Sequence, residues 1–375
     1  MGFNLDYDIG IEREFEKVYG KKFKFIPEEL YRNHPNFGQN KYGWNYGSKL
    51  ISNFINQYKD EYKYFVLFEP TERGLTKNIN CAMDFYHLFK KCGVDINRVV
   101  LLVSDHNFEE LYEYEGVYEE MRFNIVPVWS LAIAVGFGSW GHIDLNKFEE
   151  NFLKKQDVIP KKLFTCTIGS YRPHREYFYE QLKKIDLDKL GYVSYREKDI
   201  YLDFEETENL SIDITTQTEP DEMIWSIKDF YNDSLFSIQL ESDWCYPFQR
   251  NQQHFMLSGR LTEKALLPIM FGKPFFILGP KNPLFNIKEF GFKTFSDVFD
   301  ESYDDEMDMY KRIDMVISEI YRLSKLNQKE IVELKNRISN IISENFYFLK
   351  SIENLSYREI IEKFFEPKFK QLNLI

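Results

Sequence analysis

The stretch GRLTEKALLPIMFGKPFFILGPKN, residues 259–282, contains the signals for a helix, its end and a following strand. Thr262 belongs to the residue types that cap a helix N-terminus. Gly272 and Pro274 are typical of a helix end, and the apolar run at 275–278 predicts a buried strand. A helix followed by a buried strand is the repeating unit of an α/β fold.

The same alternation extends to both sides of this stretch. Strand-like apolar runs occupy residues 63–69, 98–105, 125–135, 163–169, 235–241 and 274–279. Helical patterns occupy residues 78–92, 173–185, 262–271 and 284–290, and the chain beyond residue 300 is helical in pattern. The fold predicted from this order is α/β, with two Rossmann-like βα domains and a helical C-terminal tail.

A polar stretch at residues 144–162 separates the two series of strands and helices. We therefore expect a domain boundary near residue 155. The predicted division is an N-terminal domain at 1–155, a C-terminal domain at 156–345 and a helical tail at 346–375.

Composition narrows the class of protein. A chain of 375 residues is long enough for two hydrophobic cores, and its aromatic content of 17% is typical of dense packing. The formal net charge of −12 disfavours non-specific binding to nucleic acid, because phosphate backbones repel an acidic surface. These features are compatible with an enzyme.

Cysteine and apolar patterns give expectations about metals and location. The four cysteines form no CxxC pair, and the six histidines do not cluster with them, so we expect no zinc site. The sequence has no apolar run of about 18 residues and no N-terminal signal pattern. We therefore expect a soluble cytoplasmic protein without a membrane span.

Two helix starts in the second series are basic. Arg260 and Lys264 flank the start of the helix in the opening stretch, where the helix dipole favours an acid. A helix N-terminus with added cations is suited to a diphosphate, although both side chains could instead point to solvent. The second start follows a predicted strand, at the edge where ligands of open α/β sheets bind. Its residues are Gly169, Ser170, Arg172, His174 and Arg175.

These two segments resemble a known family. The first carries T-E-K at 262–264, G-x-P-F at 272–275 and a G-P turn, and the second has the form R-x-x-F/Y-x-x-x-L from Arg175. Together they resemble the nucleotide-sugar-binding domain of α-1,3-fucosyltransferase-like glycosyltransferases. The run EFGFKTFSDVFDESYDD at 289–305 is similar to virus- and bacterium-encoded proteins of that type. The resemblance covers residues 162–315.

The resemblance implies a GT-B architecture, in which two Rossmann-like domains face across a cleft and the C-terminal one holds a nucleoside-diphosphate sugar. Carried over to this sequence, the resemblance implies that Lys264 and Arg175 contact the diphosphate and that Glu263 contacts the donor. Arg172 is the alternative to Arg175 for this contact. The predicted donor-binding set also includes Arg260, Thr262, Gly169 and Ser170. The chain has Gly259-Arg260 where the family usually has Asp-Tyr, so the donor base and sugar stay open, with a GDP-sugar favoured.

The implied chemistry is sugar transfer to a hydroxyl acceptor, with inversion and without a metal, because basic groups and helix N–H groups can stabilise the departing diphosphate. The acceptor then needs a general base on the first domain. The candidates each follow an apolar run, and Asp105 ranks first; they are Asp105, His106, Glu69 and His142. The acceptor could be a glycan, a small molecule or a modified base in viral DNA. The alternative that is not an enzyme is a catalytically silent GT-B-like module that only binds its ligand.

Overall fold

The structure, a computed structural model, describes residues 5–27, 30, 44–69, 79–103, 121–127, 144–155, 159–168, 172–197, 200–202, 225–241, 263–279, 281–353 and 355–375. The chain divides into two compact units. The first unit comprises Met1–Ser139 with Leu355–Ile375, and the second comprises Trp140–Asn354. Each unit is built around one sheet, so the α/β class expected from the sequence is confirmed.

The described strands and helices are numbered here in chain order. The strands are β1 Phe23–Phe25, β2 Tyr64–Glu69, β3 Val99–Val103, β4 Asn124–Pro127, β5 Lys162–Ile168, β6 Gly191–Glu197, β7 Ile200–Leu202, β8 Ser234–Leu240 and β9 Phe275–Leu278. The α-helices are α1 Leu5–Tyr19, α2 Trp44–Tyr58, α3 Ile79–Lys91, α4 Leu145–Lys155, α5 Pro173–Lys184, α6 Lys228–Asn232, α7 Leu267–Met270, α8 Pro283–Phe290, α9 Met309–Leu323, α10 Gln328–Glu353, α11 Tyr357–Ile360 and α12 Glu366–Gln371.

The sheet of the first unit is parallel and has the order β1-β2-β3-β4. Each strand is therefore added on the same side of the one before it. Because crossovers between parallel strands are right-handed, α2 and α3 lie on the same face of this sheet. Their side chains Ile51, Ile55, Phe85 and Phe89 form one core with the strand residues of that face.

The opposite face of this sheet is covered by α1 and by the C-terminal segment, residues 355–375. Phe15 of α1 contacts Phe365 and Phe369 of the C-terminal segment, with ring centroids 5.6 and 5.7 Å apart. The ring of Phe369 also stacks on Phe23 of β1, at 5.2 Å. All these rings are buried. A parallel sheet needs cover on both faces, and the C-terminal segment supplies part of that cover.

The sheet of the second unit has the order β7-β6-β5-β8-β9, in which only β7 is antiparallel to its neighbour among the described strands. After β5 the chain adds β6 on one side, and it later adds β8 and β9 on the other side. Right-handed crossovers in opposite directions place α5 and α7 on opposite faces. This reversal makes the position between β5 and β8 the topological switch point of the sheet.

The two units divide the chain differently from the boundaries expected at 155 and 346. Helix α4 belongs to the second unit, where Phe148 contacts Phe271 at 5.1 Å and Phe152 stacks on Phe346 at 5.0 Å. Helix α10 runs through residue 346 to Glu353 without a break, so the tail begins later than expected. The tail, residues 355–375, then packs within the first unit.

The stretch at 259–282 folds as a short helix, a stop and a strand. Its described part begins with a 3-10 turn at Glu263–Leu266 and continues as the single α-turn of α7, with Pro268 in the first turn, where its missing N–H is tolerated. Gly272 has φ +60 and ends the helix in the left-handed conformation, as the sequence indicates. A Cβ at Gly272 would lie 2.3 Å from Cδ2 of Phe152, so the turn also depends on close contact.

None of the helices in the described ranges combines the length and the apolar character needed to cross a lipid bilayer. This agrees with the absence of a long apolar run in the sequence.

We predict that Phe369→Ala will destabilise the first unit by about 3–5 kcal/mol, the usual cost of deleting a fully buried aromatic ring. Phe369 is 0% exposed, and its ring contacts residues of α1 and β1. Hydrogen exchange should show faster exchange at the amides of β1, β2 and β3, with β5 and β8 unchanged.

The matched control is Tyr347→Ala, since Tyr347 is 45% exposed on α10 of the second unit. It should leave exchange in the first sheet unaltered. Undiminished protection of β2 and β3 in Phe369→Ala would contradict the packing of the C-terminal segment on this sheet.

Candidate functional site

The candidate site lies at the carboxyl ends of β5 and β8, which end at Ile168 and Leu240. We call this position the β5–β8 crevice. Strand order reverses here, and ligands of open α/β sheets bind outside the carboxyl ends of strands at such points. Helix α5 begins just beyond β5, so its first turn lies at the same edge.

Two side chains of α5 hold the end of β8. The guanidinium of Arg175 donates through Nη2 to the carbonyl oxygen of Leu240 at 2.7 Å. The ring of His174 contacts the carbonyl oxygen of Glu241 through Nε2 at 3.0 Å. A carbonyl oxygen only accepts hydrogen bonds, so Nε2 of His174 carries the proton. Both side chains are buried, and they fix the geometry of the crevice.

The charge state of this pair follows from its burial. Burial, followed by the positive charge of Arg175, lowers the pKa of His174 to about 3 from the ordinary 6.5. His174 is therefore neutral at physiological pH, and Arg175 carries the charge. Burial also makes Cys166 of β5 unreactive, because it raises the pKa of the thiol despite the nearby positive charge of Arg175.

Arg172 differs from Arg175 in exposure. Arg172 is the N-cap residue of α5, with extended backbone angles of φ −152 and ψ 145, and its side chain makes no capping hydrogen bond. It is exposed, whereas Arg175 is 1% exposed and bonded to Leu240. Of the two arginines considered from the sequence, Arg172 is the one whose charge faces solvent at the helix start.

Glu241 contributes a buried carboxylate to the same edge. It directly follows β8, is 0% exposed, and donates its backbone N–H to the carbonyl oxygen of Leu278 at 2.9 Å. Its side chain lies against Gly279, where an added Cβ would come within 3.1 Å of Cγ of Glu241. The glycine at the end of β9 therefore leaves room for this carboxylate.

Lys264 lies in the turn Glu263–Leu266, where the described part of the β8–β9 crossover resumes after residue 241. It is half-buried, and the turn Glu263–Leu266 packs against β8. At the other end of this crossover, Lys273 donates to the carbonyls of Asn232 and Ser234, at 3.2 and 2.9 Å, beside the amino end of β8. A 3-10 turn followed by one α-turn rises about 14 Å along a strand. Lys264 therefore lies toward the carboxyl edge.

The start of α8, at the end of β9, is already occupied by an acid. The two carboxylate oxygens of Asp304 accept the N–H groups of Leu284 and Phe285, each at 2.9 Å. Burial raises the pKa of Asp304 to about 6. Asp304 therefore caps α8, and Asp308 caps α9, the helix that follows it.

Buried Arg312 holds the end of β9, the strand next to β8, in the way that Arg175 holds the end of β8. Its Nη1 donates to the carbonyl oxygen of Gly279 at 2.7 Å, and its Nε donates to that of Glu306 at 3.0 Å. Burial lowers the pKa of Arg312 to about 10, so it remains a cation at neutral pH. The ends of β8 and β9 are thus both fixed by guanidinium groups.

Several predicted site residues lie outside the described residues. They are Asp105, His106, His142, Gly169, Ser170, Arg260 and Thr262. Glu69 is the last residue of β2, and Glu263 is the first residue of its turn. Among the predicted donor-binding residues with a described side chain, Arg172 and Arg175 share the start of α5, and Lys264 belongs to the crossover beside β8.

Two residues at this edge were missed in the sequence, Glu241 and Arg312. Glu241 was detectable, because it ends the apolar run at 235–241 and so follows a strand in the way that Asp105 does. Arg312 lies within an amphipathic helix, and its sequence neighbours do not distinguish it from a surface arginine.

Within the described ranges, no group of three or more His, Cys, Asp or Glu side chains has an arrangement that could hold a metal ion. Neither a search of protein-family models nor a search of curated proteins found a match to this chain. The function therefore has to be argued from the geometry of the β5–β8 crevice and from the sequence.

We predict that His174 contributes a loss of stability to the second unit as pH falls below 6.5, because the unfolded chain protonates His174 there while the folded chain resists protonation down to about pH 3. The loss approaches about 1.4 kcal/mol per pH unit. Asp304 opposes it, since its raised pKa makes protonation favour the folded state as pH falls from about 6 to 3.8. Urea unfolding of wild type and His174→Gln between pH 7 and 4.5 measures the contribution of His174.

His174→Gln should flatten the loss of stability, because Gln keeps a donor for the carbonyl of Glu241 and does not titrate. The control His87→Gln replaces an exposed histidine of α3. Identical pH dependence in wild type and His174→Gln would mean that the imidazole is not held neutral.

Proposed function

We propose that the second unit binds a nucleoside diphosphate at the β5–β8 crevice, and that the protein transfers a sugar from a nucleoside-diphosphate sugar to a hydroxyl acceptor. The observation that carries this proposal is the position of α5. A helix start with an exposed arginine as its N-cap residue lies at the switch point of the sheet. A diphosphate is the ligand for which a helix N-terminus and cations are jointly suited.

The proposed roles follow from exposure and charge. Arg172 and Lys264 contact the diphosphate and stabilise the negative charge that develops as the anomeric bond breaks. Arg175 and His174 act through the end of β8, which they hold by its carbonyl groups. A direct bond from Arg175 to phosphate would compete with its bond to Leu240, so we assign the exposed contact to Arg172.

The finer architecture belongs to the same proposal. Two units, one with a parallel sheet and one with a mainly parallel sheet, are compatible with a GT-B glycosyltransferase whose donor domain is the second unit. The resemblance of residues 162–315 to α-1,3-fucosyltransferase-like proteins supports this assignment and favours a GDP-sugar. The general base stays a prediction among Asp105, His106, Glu69 and His142.

We predict that Lys264→Ala will weaken nucleoside-diphosphate binding by about 1.5–3 kcal/mol, the scale of a hydrogen bond to a charged group. Titration calorimetry with GDP, compared with UDP, dTDP and CMP, measures the change and identifies the base. Lys288→Ala is the matched control, because Lys288 is exposed on α8 and pairs with Glu301 at 3.4 Å.

The two arginines provide an internal comparison in the same titration. Arg172→Ala should weaken binding and leave the free energy of unfolding unchanged, since its side chain is exposed. Arg175→Ala should also destabilise the unit by about 1–3 kcal/mol, because the buried carbonyl of Leu240 loses a donor. Saturable binding that is equally strong in Lys264→Ala and Arg172→Ala would refute the assigned site.

We predict that sugar transfer continues in the presence of EDTA, because Lys264, Arg172 and the start of α5 supply the positive charge that the leaving diphosphate needs. Turnover with and without EDTA, and after addition of Mn²⁺ or Mg²⁺, measures this. Complete loss with the chelator, followed by recovery on adding metal, would contradict it. Donor binding without transfer to any hydroxyl acceptor would instead favour a silent binding module.

A further inference from the structure

A cavity lies in the second unit, at the opposite edge of its sheet from the β5–β8 crevice. It adjoins Ser234, the first residue of β8, and Pro274, which precedes β9, and helix α10 forms its other side. Its volume is about 390 Å³. This falls within the range of pockets that enclose small organic ligands. We call it the amino-edge cavity.

The floor of the amino-edge cavity is apolar. Phe152, Leu235, Phe271 and Ile338 line it, and each is at most 5% exposed in the folded chain. At its mouth, Ile159 and Val332 are 54% and 42% exposed. Apolar side chains thus continue from the floor to the surface, which suits a ligand with an apolar body that enters from solvent.

The cavity is held open by contacts of its own lining. The ring of Phe152 stacks on Phe346 with centroids 5.0 Å apart and planes 14° from parallel. Gly272 approaches this ring so closely that a Cβ would lie 2.3 Å from Cδ2 of Phe152. Phe271 stacks on Tyr231 at 4.4 Å. Rings fixed on both sides do not collapse into the space, so a ligand would enter a preformed site.

The charged side chains that line the cavity in the described part of the chain are cations. Lys273 and Lys335 line it together with Asn336 and Ser339, and no Asp or Glu among the described residues belongs to the lining. This contrasts with the chain as a whole, which has a net charge of −12. Lys273 is fixed by its bonds to the carbonyls of Asn232 and Ser234. The lysines of the cavity therefore attract an anionic group, whereas the acidic chain as a whole repels one.

We propose that the amino-edge cavity binds a small amphipathic carboxylate, with its apolar body on the ring-lined floor and its carboxylate beside Lys335 and Lys273. This site is separate from the proposed donor site, because it lies at the other edge of the sheet. A nucleotide does not suit it, since the floor offers no polar partners for a base or ribose.

Titration calorimetry on the full chain tests the proposal with three probes of equal chain length: octanoate, octanol and octylammonium. Octanoate should bind saturably, octanol about tenfold more weakly, and octylammonium not measurably. Lys335→Glu should weaken octanoate about tenfold or more, because it reverses the charge at the lining. Lys335→Gln should have an intermediate effect.

The matched control is Lys329→Glu on the same helix, since Lys329 is 86% exposed and lies outside the lining. It should change octanoate affinity less than twofold. Equal affinity for octanoate and octylammonium, no saturable octanoate binding, or equal weakening by the two Glu variants would overturn the proposal. So would sedimentation showing that a second copy of the chain occupies the cavity and that Lys335→Glu releases it.

Discussion

Both faces of a parallel sheet have to be covered by other parts of the chain, because the strands are apolar on both sides. The first sheet adds its strands in one direction, so its right-handed crossovers cover one face only. The other face depends on α1 and residues 355–375. In the second sheet the direction reverses between β5 and β8, and the crossovers cover both faces. The same reversal creates the crevice that makes the second unit the candidate binding unit.

Buried arginines give this crevice its rigidity. Arg175 and Arg312 hold the carbonyl ends of β8 and β9, and Asp304 occupies the start of α8. These groups satisfy backbone polar atoms that the protein interior would otherwise leave without partners. The helix start of α5, by contrast, carries an exposed cation, Arg172. The two helix starts thus differ in charge: a carboxylate lies at the start of α8, and a guanidinium lies at the start of α5.

Much of this architecture could be predicted from sequence, for identifiable reasons. Strand β3 is a continuous apolar run, β8 is mostly apolar, and Gly272 marks a helix end by a conformation that glycine readily adopts. Helix α4 was missed because its buried residues Leu145, Phe148 and Phe152 are separated by charged ones in a polar stretch. The burial of Arg175 could not be foreseen either, since it depends on the carbonyl of Leu240 in a distant strand. The contact between Phe15 and Phe369 could not be predicted from local sequence patterns either, because the two residues are distant in sequence.

The place of residues 355–375 has a consequence for biosynthesis. The second unit is contiguous in sequence, so it can close once residue 354 has left the ribosome. The first sheet, although it is synthesised earlier, needs residues 355–375 before its second face is covered. During that interval Val66, Val100 and Leu102 present an apolar surface that chaperones recognise. We therefore expect the first unit to be completed after the second, although its sheet is translated first, and ribosome stalling before residues 355–375 are made to leave the first unit open.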